Sequence, residues 1–140
     1  MKVVLVRPPS FKMPIIIPNL GLGYLASILR ENNHTVNILD CVQRKMNHQK
    51  YRDYLADEKP DMVGIQMYTC DFSSTRKCVD MARELNRNII TLVGGPHPSG
   101  DPRGTMKILK NTDFAFSGEA ELGLPALLRH LASPDTCKIE

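Results

Sequence analysis

Concentrated charge is missing from this chain. Its 140 residues carry 18 Lys and Arg against 15 Asp and Glu, a formal +3, and no basic run dominates. Charge therefore gives no reason to expect a nucleic-acid partner. Uninterrupted apolar sequence is also scarce. The most apolar stretch, Met13 to Leu29, is broken by Pro14, Pro18, Asn19 and two glycines, which is too interrupted to span a bilayer. The N-terminus, Met1-Lys2-Val3-Val4-Leu5-Val6-Arg7-Pro8, lacks the long apolar region and small-residue cleavage site of a signal peptide. A cytoplasmic protein is expected. The four cysteines, at 41, 70, 78 and 137, form no C-x2-C or C-x3-C pair. The usual zinc and iron–sulfur spacings are thus absent, and the cysteines read as free thiols of a reducing compartment.

What is present is the composition of an ordinary soluble domain, 42% apolar and 24% charged. The length suits one domain with a real core. Lys2 to Val6 (KVVLV) is a β-branched strand, stopped by Arg7-Pro8-Pro9. Leu20 to Arg30 has apolar residues at helical spacing. Thr35 to Leu39 predicts a second strand, and Met46 to Glu58 a polar helix with Tyr51, Tyr54 and Leu55 as its inner stripe. Met62 to Met67 predicts the third strand. Ser73 to Asn86 predicts a helix capped by Ser73 or Ser74, with Cys78, Val79, Ala82 and Leu85 facing inward. Ile89 to Val93, Thr105 to Leu109, Phe114 to Phe116 and Ala120 to Leu131 continue as strand, helix, strand, helix. The domain is expected over 1–133, with 134–140 as a tail or the start of a linker. Alternating strand and helix implies a parallel sheet of five strands with helices on both faces. Ligands then bind beyond the carboxyl ends of the strands.

Three familiar readings of that architecture fail on their residues. Gly21-Leu22-Gly23-Tyr24-Leu25-Ala26 matches G-x-G-x-x-A, but 14 residues and four prolines separate Val6 from Gly21. A pyrophosphate turn needs its first glycine directly after the strand. Gly21 and Gly23 read instead as permitting close packing of the helix start on the sheet. A phospho-receiver needs an acidic pair after the first strand and a lysine after the fifth, where this chain has Arg7-Pro8-Pro9 and Gly118-Glu119. A flavin mononucleotide loop needs amide donors that Pro8, Pro9, Pro14 and Pro18 do not supply.

The remaining constellation is a row of glycines. Gly64 interrupts the third strand, Gly94-Gly95-Pro96-His97 follows the fourth, and Ser117-Gly118-Glu119 follows the fifth. A strand glycine weakens the strand unless something approaches its backbone closely. Glycines on three neighbouring strands therefore describe a slot for a flat aromatic or macrocyclic group. An ordinary turn would explain Gly94-Gly95-Pro96 alone.

Here the sequence resembles the amino-terminal cobalamin-binding domain of the cobalamin-dependent radical S-adenosylmethionine enzymes. The matching segments are Val4 to Pro9, Pro18 to Ala26, His34 to Val36, Leu39-Asp40, Pro60 to Ile65, Val93 to Pro98 and Gly118 to Glu121. The resemblance implies a doubly wound, flavodoxin-like (Rossmann-like) fold. It implies cobalamin bound with its nucleotide base off cobalt and buried beside the fourth strand. Two motifs are missing. D-x-H-x-x-G, whose His ligates cobalt in other cobalamin proteins, does not follow Val6, and the segment from Arg7 to Asn19 contains no His. The radical cluster motif C-x3-C-x2-C, which lies in a following barrel, is also absent. The iron–sulfur cluster and S-adenosylmethionine are thus expected only in a domain outside this chain, in cis or in trans.

The expected cofactor-binding residues are Arg7, Pro8, Pro9, Gly64, Thr69, Gly94, Gly95, Pro96, His97, Gly118 and Glu119, with no metal ligand and no catalytic residue. Several have a plainer role open to them. Arg7 can pair with Asp40, Thr69 can cap a strand, and Glu119 favours the start of a helix. His97 can bond within its turn, while His34 reads as a turn residue and His48 and His130 as solvated. The expected function is to hold cobalamin for a radical S-adenosylmethionine methyltransferase or related enzyme, without turnover by this chain alone. A cofactor-free interaction or regulatory module on the same fold is the alternative.

Overall fold

A computed structural model describes residues 1–10 and 17–133. The order is β1 (Lys2–Arg7), α1 (Leu20–Glu31), β2 (Thr35–Asp40), α2 (His48–Glu58) and β3 (Met62–Gln66). A 3-10 turn (Thr69–Asp71) leads into α3 (Phe72–Leu85). Then come β4 (Ile90–Gly94), α4 (Pro96–Gly100), α5 (Pro102–Ile108), β5 (Phe114–Ala115) and α6 (Gly123–Ala132). All strand pairs are parallel and the sheet order is β2-β1-β3-β4-β5. That is the flavodoxin-like order, as expected, with the reversal of strand order between β1 and β3. No helix among the described residues is long and apolar enough to cross a membrane. The segment 134–140 lies outside the described residues.

Both faces of the sheet are covered, which is why the strands read as continuous apolar runs. Val4, Val6, Val63, Ile65 and Val93 face α2 and α3, where Tyr51, Leu55, Cys78 and Val79 are buried. Alternate residues Val3, Leu5, Met62 and Leu92 face α1 and α6, meeting Leu22, Ala26, Leu29, Leu124 and Leu128. Fully burying each Val, Leu, Ile or Met among these contributes roughly 1.5–3 kcal/mol, so this two-sided core dominates the fold.

Local chemistry moves several boundaries. Asn47 caps α2, its side chain accepting from the Lys50 N–H at 2.9 Å, so the helix starts at His48 rather than Met46. Neither Ser73 nor Ser74 caps α3. The preceding 3-10 turn carries the chain directly into it, and Ser74 Oγ donates instead to the Pro9 carbonyl. The helix α4 was not expected from its two prolines. They sit in its first turn, where a proline N–H would have had no partner. Thr69 opens the 3-10 turn and does not end β3.

Candidate functional site

The carboxyl ends of β3, β4 and β5 enclose a cleft of about 200 Å³ between α1 and α6. Its floor is made by the sheet residues on that face. Gly64 stands between Leu5 and Leu92 in the ladder, and a Cβ placed on it would lie 3.1 Å from Leu5 Cδ2. The missing side chain at Gly64 therefore lowers the floor by about one methyl group. Gly94 lies two residues beyond Leu92 on the same face, and a Cβ there would meet only Phe116 Cβ, at 3.8 Å. A side chain at Gly94 would stand in the cleft. Leu22 and Leu25 of α1 form one wall, and Phe116 and Leu124 the other.

Gly95 has a different duty. Its φ is +115°, a backbone conformation that side chains resist, and a Cβ would lie 3.1 Å from the Met67 carbonyl oxygen. It turns the chain into α4 against the backbone of Met67, with Met67 N–H donating to the Gly94 carbonyl at 2.8 Å. Gly118 also has positive φ, +78°, and open space around it. Ser99 joins the two glycine loops. Its hydroxyl donates to the Gly95 carbonyl at 2.8 Å and accepts from the Gly118 N–H at 3.0 Å.

The structure thus brings Gly64, Gly94, Gly95, Gly118 and Glu119 to one cleft and sets the other expected residues around it. Arg7 pairs with Asp40 at 3.4 Å, both side chains largely buried at the ends of neighbouring strands. Pro8 and Pro9 are buried, and Pro96 is exposed as the first residue of α4. His97 Nδ1 and Thr69 Oγ1 are 3.0 Å apart, and the imidazole packs edge-on against Phe72 with ring centres 5.7 Å apart. His97 therefore has a partner within the protein on the rim.

Other contacts depart from the sequence reading. Gly23 meets nothing within 4 Å, so close packing on the sheet does not explain it. His48 is not simply solvated, since its Nε2 lies 2.9 Å from Ser74 Oγ. Because Ser74 gives its proton to Pro9, His48 must donate, which fixes its tautomer. Burial and the charge of Lys77 lower the His48 pKa. His130 Nδ1 is buried and lacks a hydrogen-bond partner among the described residues.

The sequence reading missed the apolar walls, because Leu22, Leu92 and Leu124 carry the same signal as any core leucine. It also missed Gln66, whose side-chain oxygen accepts from Asn19 Nδ2 at the N-cap of α1. Glu121 lines the same cleft. Among the described residues no three His, Cys, Asp or Glu side chains are grouped to hold a metal ion.

A parallel sheet of flavodoxin-like order with a largely apolar cleft at its carboxyl edge has the form of the doubly wound ligand-binding domains. The chain belongs to the B12 binding domain family, which matches residues 11–128. It is 31% identical over 137 residues to an uncharacterized methyltransferase of Pyrococcus horikoshii, covering 94% of this chain and 30% of that protein. The structure is similar to TsrM, a radical S-adenosylmethionine methyltransferase from Kitasatospora setae. The TM-score is 0.82 with 22% identity, over 96% of this chain and 26% of that one. It is similar also to the cobalamin-dependent S-adenosylmethionine radical enzyme OxsB, with TM-score 0.82 and 24% identity over 94% of this chain and 18% of that one. The chain spans less than a third of each of these proteins.

Proposed function

We propose that this domain holds cobalamin with its nucleotide base in the cleft between α1 and α6, away from cobalt, and presents the corrin to a radical S-adenosylmethionine domain in cis or in trans. The observation that carries the reading is the cleft itself. About 200 Å³ of apolar space opens where Gly64 and Gly94 remove side chains from the sheet surface. An apolar cavity of ~150 Å³ admits benzene, so this one suits a fused aromatic base. Gly64, Gly94 and Phe116 would contact the base, while Gly95, Gly118 and Glu119 would border the chain leading from it to the corrin. Thr69 and His97 on the rim would face the corrin, with Arg7, Pro8 and Pro9 along the β1 edge. No side-chain nitrogen of this chain is assigned to cobalt. His97 is already engaged by Thr69, and the segment after β1 offers no histidine.

When bound, the cofactor supplies a cobalt centre that can carry a methyl group. The protein supplies binding, orientation and a largely apolar pocket for the base. The iron–sulfur cluster and S-adenosylmethionine belong, in this reading, to the remainder of a longer assembly. That agrees with the share of its relatives that this chain spans. The test is a titration with hydroxocobalamin followed by absorbance. Saturable binding by the wild type, lost in Gly94→Leu, is expected. A folded wild type, checked by circular dichroism, that does not bind at high micromolar cofactor overturns the proposal in favour of an interaction module.

A further inference from the structure

A second cavity, of about 290 Å³, opens on the other face of the sheet, among residues that follow β1 and β3 and residues that begin α2 and α3. Strand order reverses between β1 and β3, and a doubly wound sheet binds ligands at that point. Part of the lining is spent on itself. His48 donates to Ser74, and Ser74 donates to the Pro9 carbonyl. Asp71 is not spent. It is 8% exposed and lines the cavity, yet its carboxylate has no hydrogen-bond or ion-pair partner among the described residues. Neither of its oxygens is sealed from solvent. A carboxylate at the start of a helix is favoured by the dipole and normally accepts from an amide of the first turn. Asp71 holds the N-cap position of α3 and accepts from none, so capping leaves its oxygens unused. The Ser73 hydroxyl and the Lys77 ammonium line the same cavity, both on exposed residues, and neither is paired with Asp71. One cavity thus holds an acceptor and two donors that do not meet. A primary amide, which carries N–H donors and a carbonyl oxygen, answers both.

Resting on the reading that the corrin lies along Pro9 and Thr69, we propose that this cavity receives a propionamide of the corrin rim, Asp71 accepting from its N–H while Lys77 and Ser73 donate to its carbonyl oxygen. Pro9 borders both the corrin position and the cavity, and Thr69 stands two residues before Asp71. A corrin rim carries acetamide and propionamide arms, of which the propionamide reaches further into a recess. An N–H given to a carboxylate is charge-assisted and among the stronger hydrogen bonds. The cavity would then distinguish an amide from the carboxylate that hydrolysis makes of it, because a second negative charge beside Asp71 is repelled. Lys77, exposed on a long stem, offsets only part of that repulsion.

The experiment titrates the wild type, Asp71→Asn and Lys77→Met with hydroxocobalamin and with each of its monocarboxylates, in which one propionamide has been hydrolysed. The wild type is expected to bind one of these about tenfold more weakly than hydroxocobalamin. Asp71→Asn should erase that difference and Lys77→Met should widen it. Each variant should also bind hydroxocobalamin itself severalfold more weakly, with Tm near that of the wild type. Lys77→Met changes an exposed side chain and serves if Asp71→Asn fails to fold. Carboxylate penalties that neither substitution alters, or a hydroxocobalamin affinity unchanged in both variants, overturn the assignment while leaving the base site standing. A wild type that binds no corrinoid removes the corrin reading, and the role of this cavity with it.

Discussion

Two adjacent glycines make opposite predictions. Gly94 has ordinary strand geometry and open space beside it, so Gly94→Leu should fill the cleft with little cost to the fold. Gly95, at φ +115°, should resist any side chain. Gly95→Ala is expected to destabilise the apo domain by at least about 1–2 kcal/mol, lowering Tm by several degrees. Thermal melts set beside cobalamin titrations distinguish the two, and equal Tm values would contradict the backbone geometry. His97 gives a third residue-scale prediction. With cobalamin bound and reduced to cob(II)alamin, electron paramagnetic resonance should show no nitrogen triplet on the cobalt lines, and His97→Ala should leave the spectrum unchanged. A triplet lost in that variant would make His97 the ligand. At this scale the glycines were legible because glycine weakens a strand and marks a bulge, a bend or a close approach when it stands in one. The 3.4 Å Arg7–Asp40 pair was readable only as one option, since it joins residues 33 positions apart. Glu121 hid because an acid near a helix start already has an ordinary reason to be there.

Elements were more legible than their edges. Alternating apolar runs and helical stripes specify parallel strands between helices, but they do not specify which strands are neighbours. The order β2-β1-β3-β4-β5 was implied only by the resemblance and is established by the strand pairing. The α4 turn was invisible because prolines suppress helix expectations, although two of them fit a first turn without loss. That turn carries Ser99, which fastens the loop after β4 to the loop after β5. Ser99→Ala leaves the Gly118 N–H to solvent, while the Gly95 carbonyl keeps the Ser99 N–H at 3.1 Å, at a net cost to folding of about 1 kcal/mol or less at this exposed position. Loss of the clamp should loosen one side of the cleft, lowering cobalamin affinity severalfold with Tm nearly unchanged. An affinity equal to wild type would show that the two loops are held by their own backbones.

For the whole molecule, the buried face under α2 and α3 sets the alkaline limit. Burial, helped by the charge of Asp40, raises the Cys41 thiol from its ordinary 9.0 to about 12. Burial likewise holds Cys78 well above 9.0 and Tyr51 well above 10.0, the Tyr51 hydroxyl donating to the Cys78 carbonyl at 3.0 Å. All three keep their protons in the folded state longer than in the unfolded one. Their stabilisation is complete below about pH 9 and falls as pH climbs toward 12, each group adding a slope of up to about 1.4 kcal/mol per pH unit. Urea midpoints under reducing conditions should hold level up to about pH 8.5 and decline from about pH 9 to 10.5, and Cys41→Ala should flatten the decline; a level profile throughout would refute it. The opposite edge of the sheet is much lighter. Only Phe114 and Ala115 of β5 enter the ladder, and the approach to them is tied by side chains, Arg83 to Asp113 at 2.7 Å and the Thr91 hydroxyl to the Asn111 carbonyl at 2.7 Å. So brief a seam should breathe before the central strands do. The amide protons of Phe116 and Leu124 should trade with deuterium sooner than those of β3. The base of a corrinoid would then slide in beside Phe116 and Leu124 as that seam parts, so the rate of binding would be governed by the opening of the protein and not by diffusion.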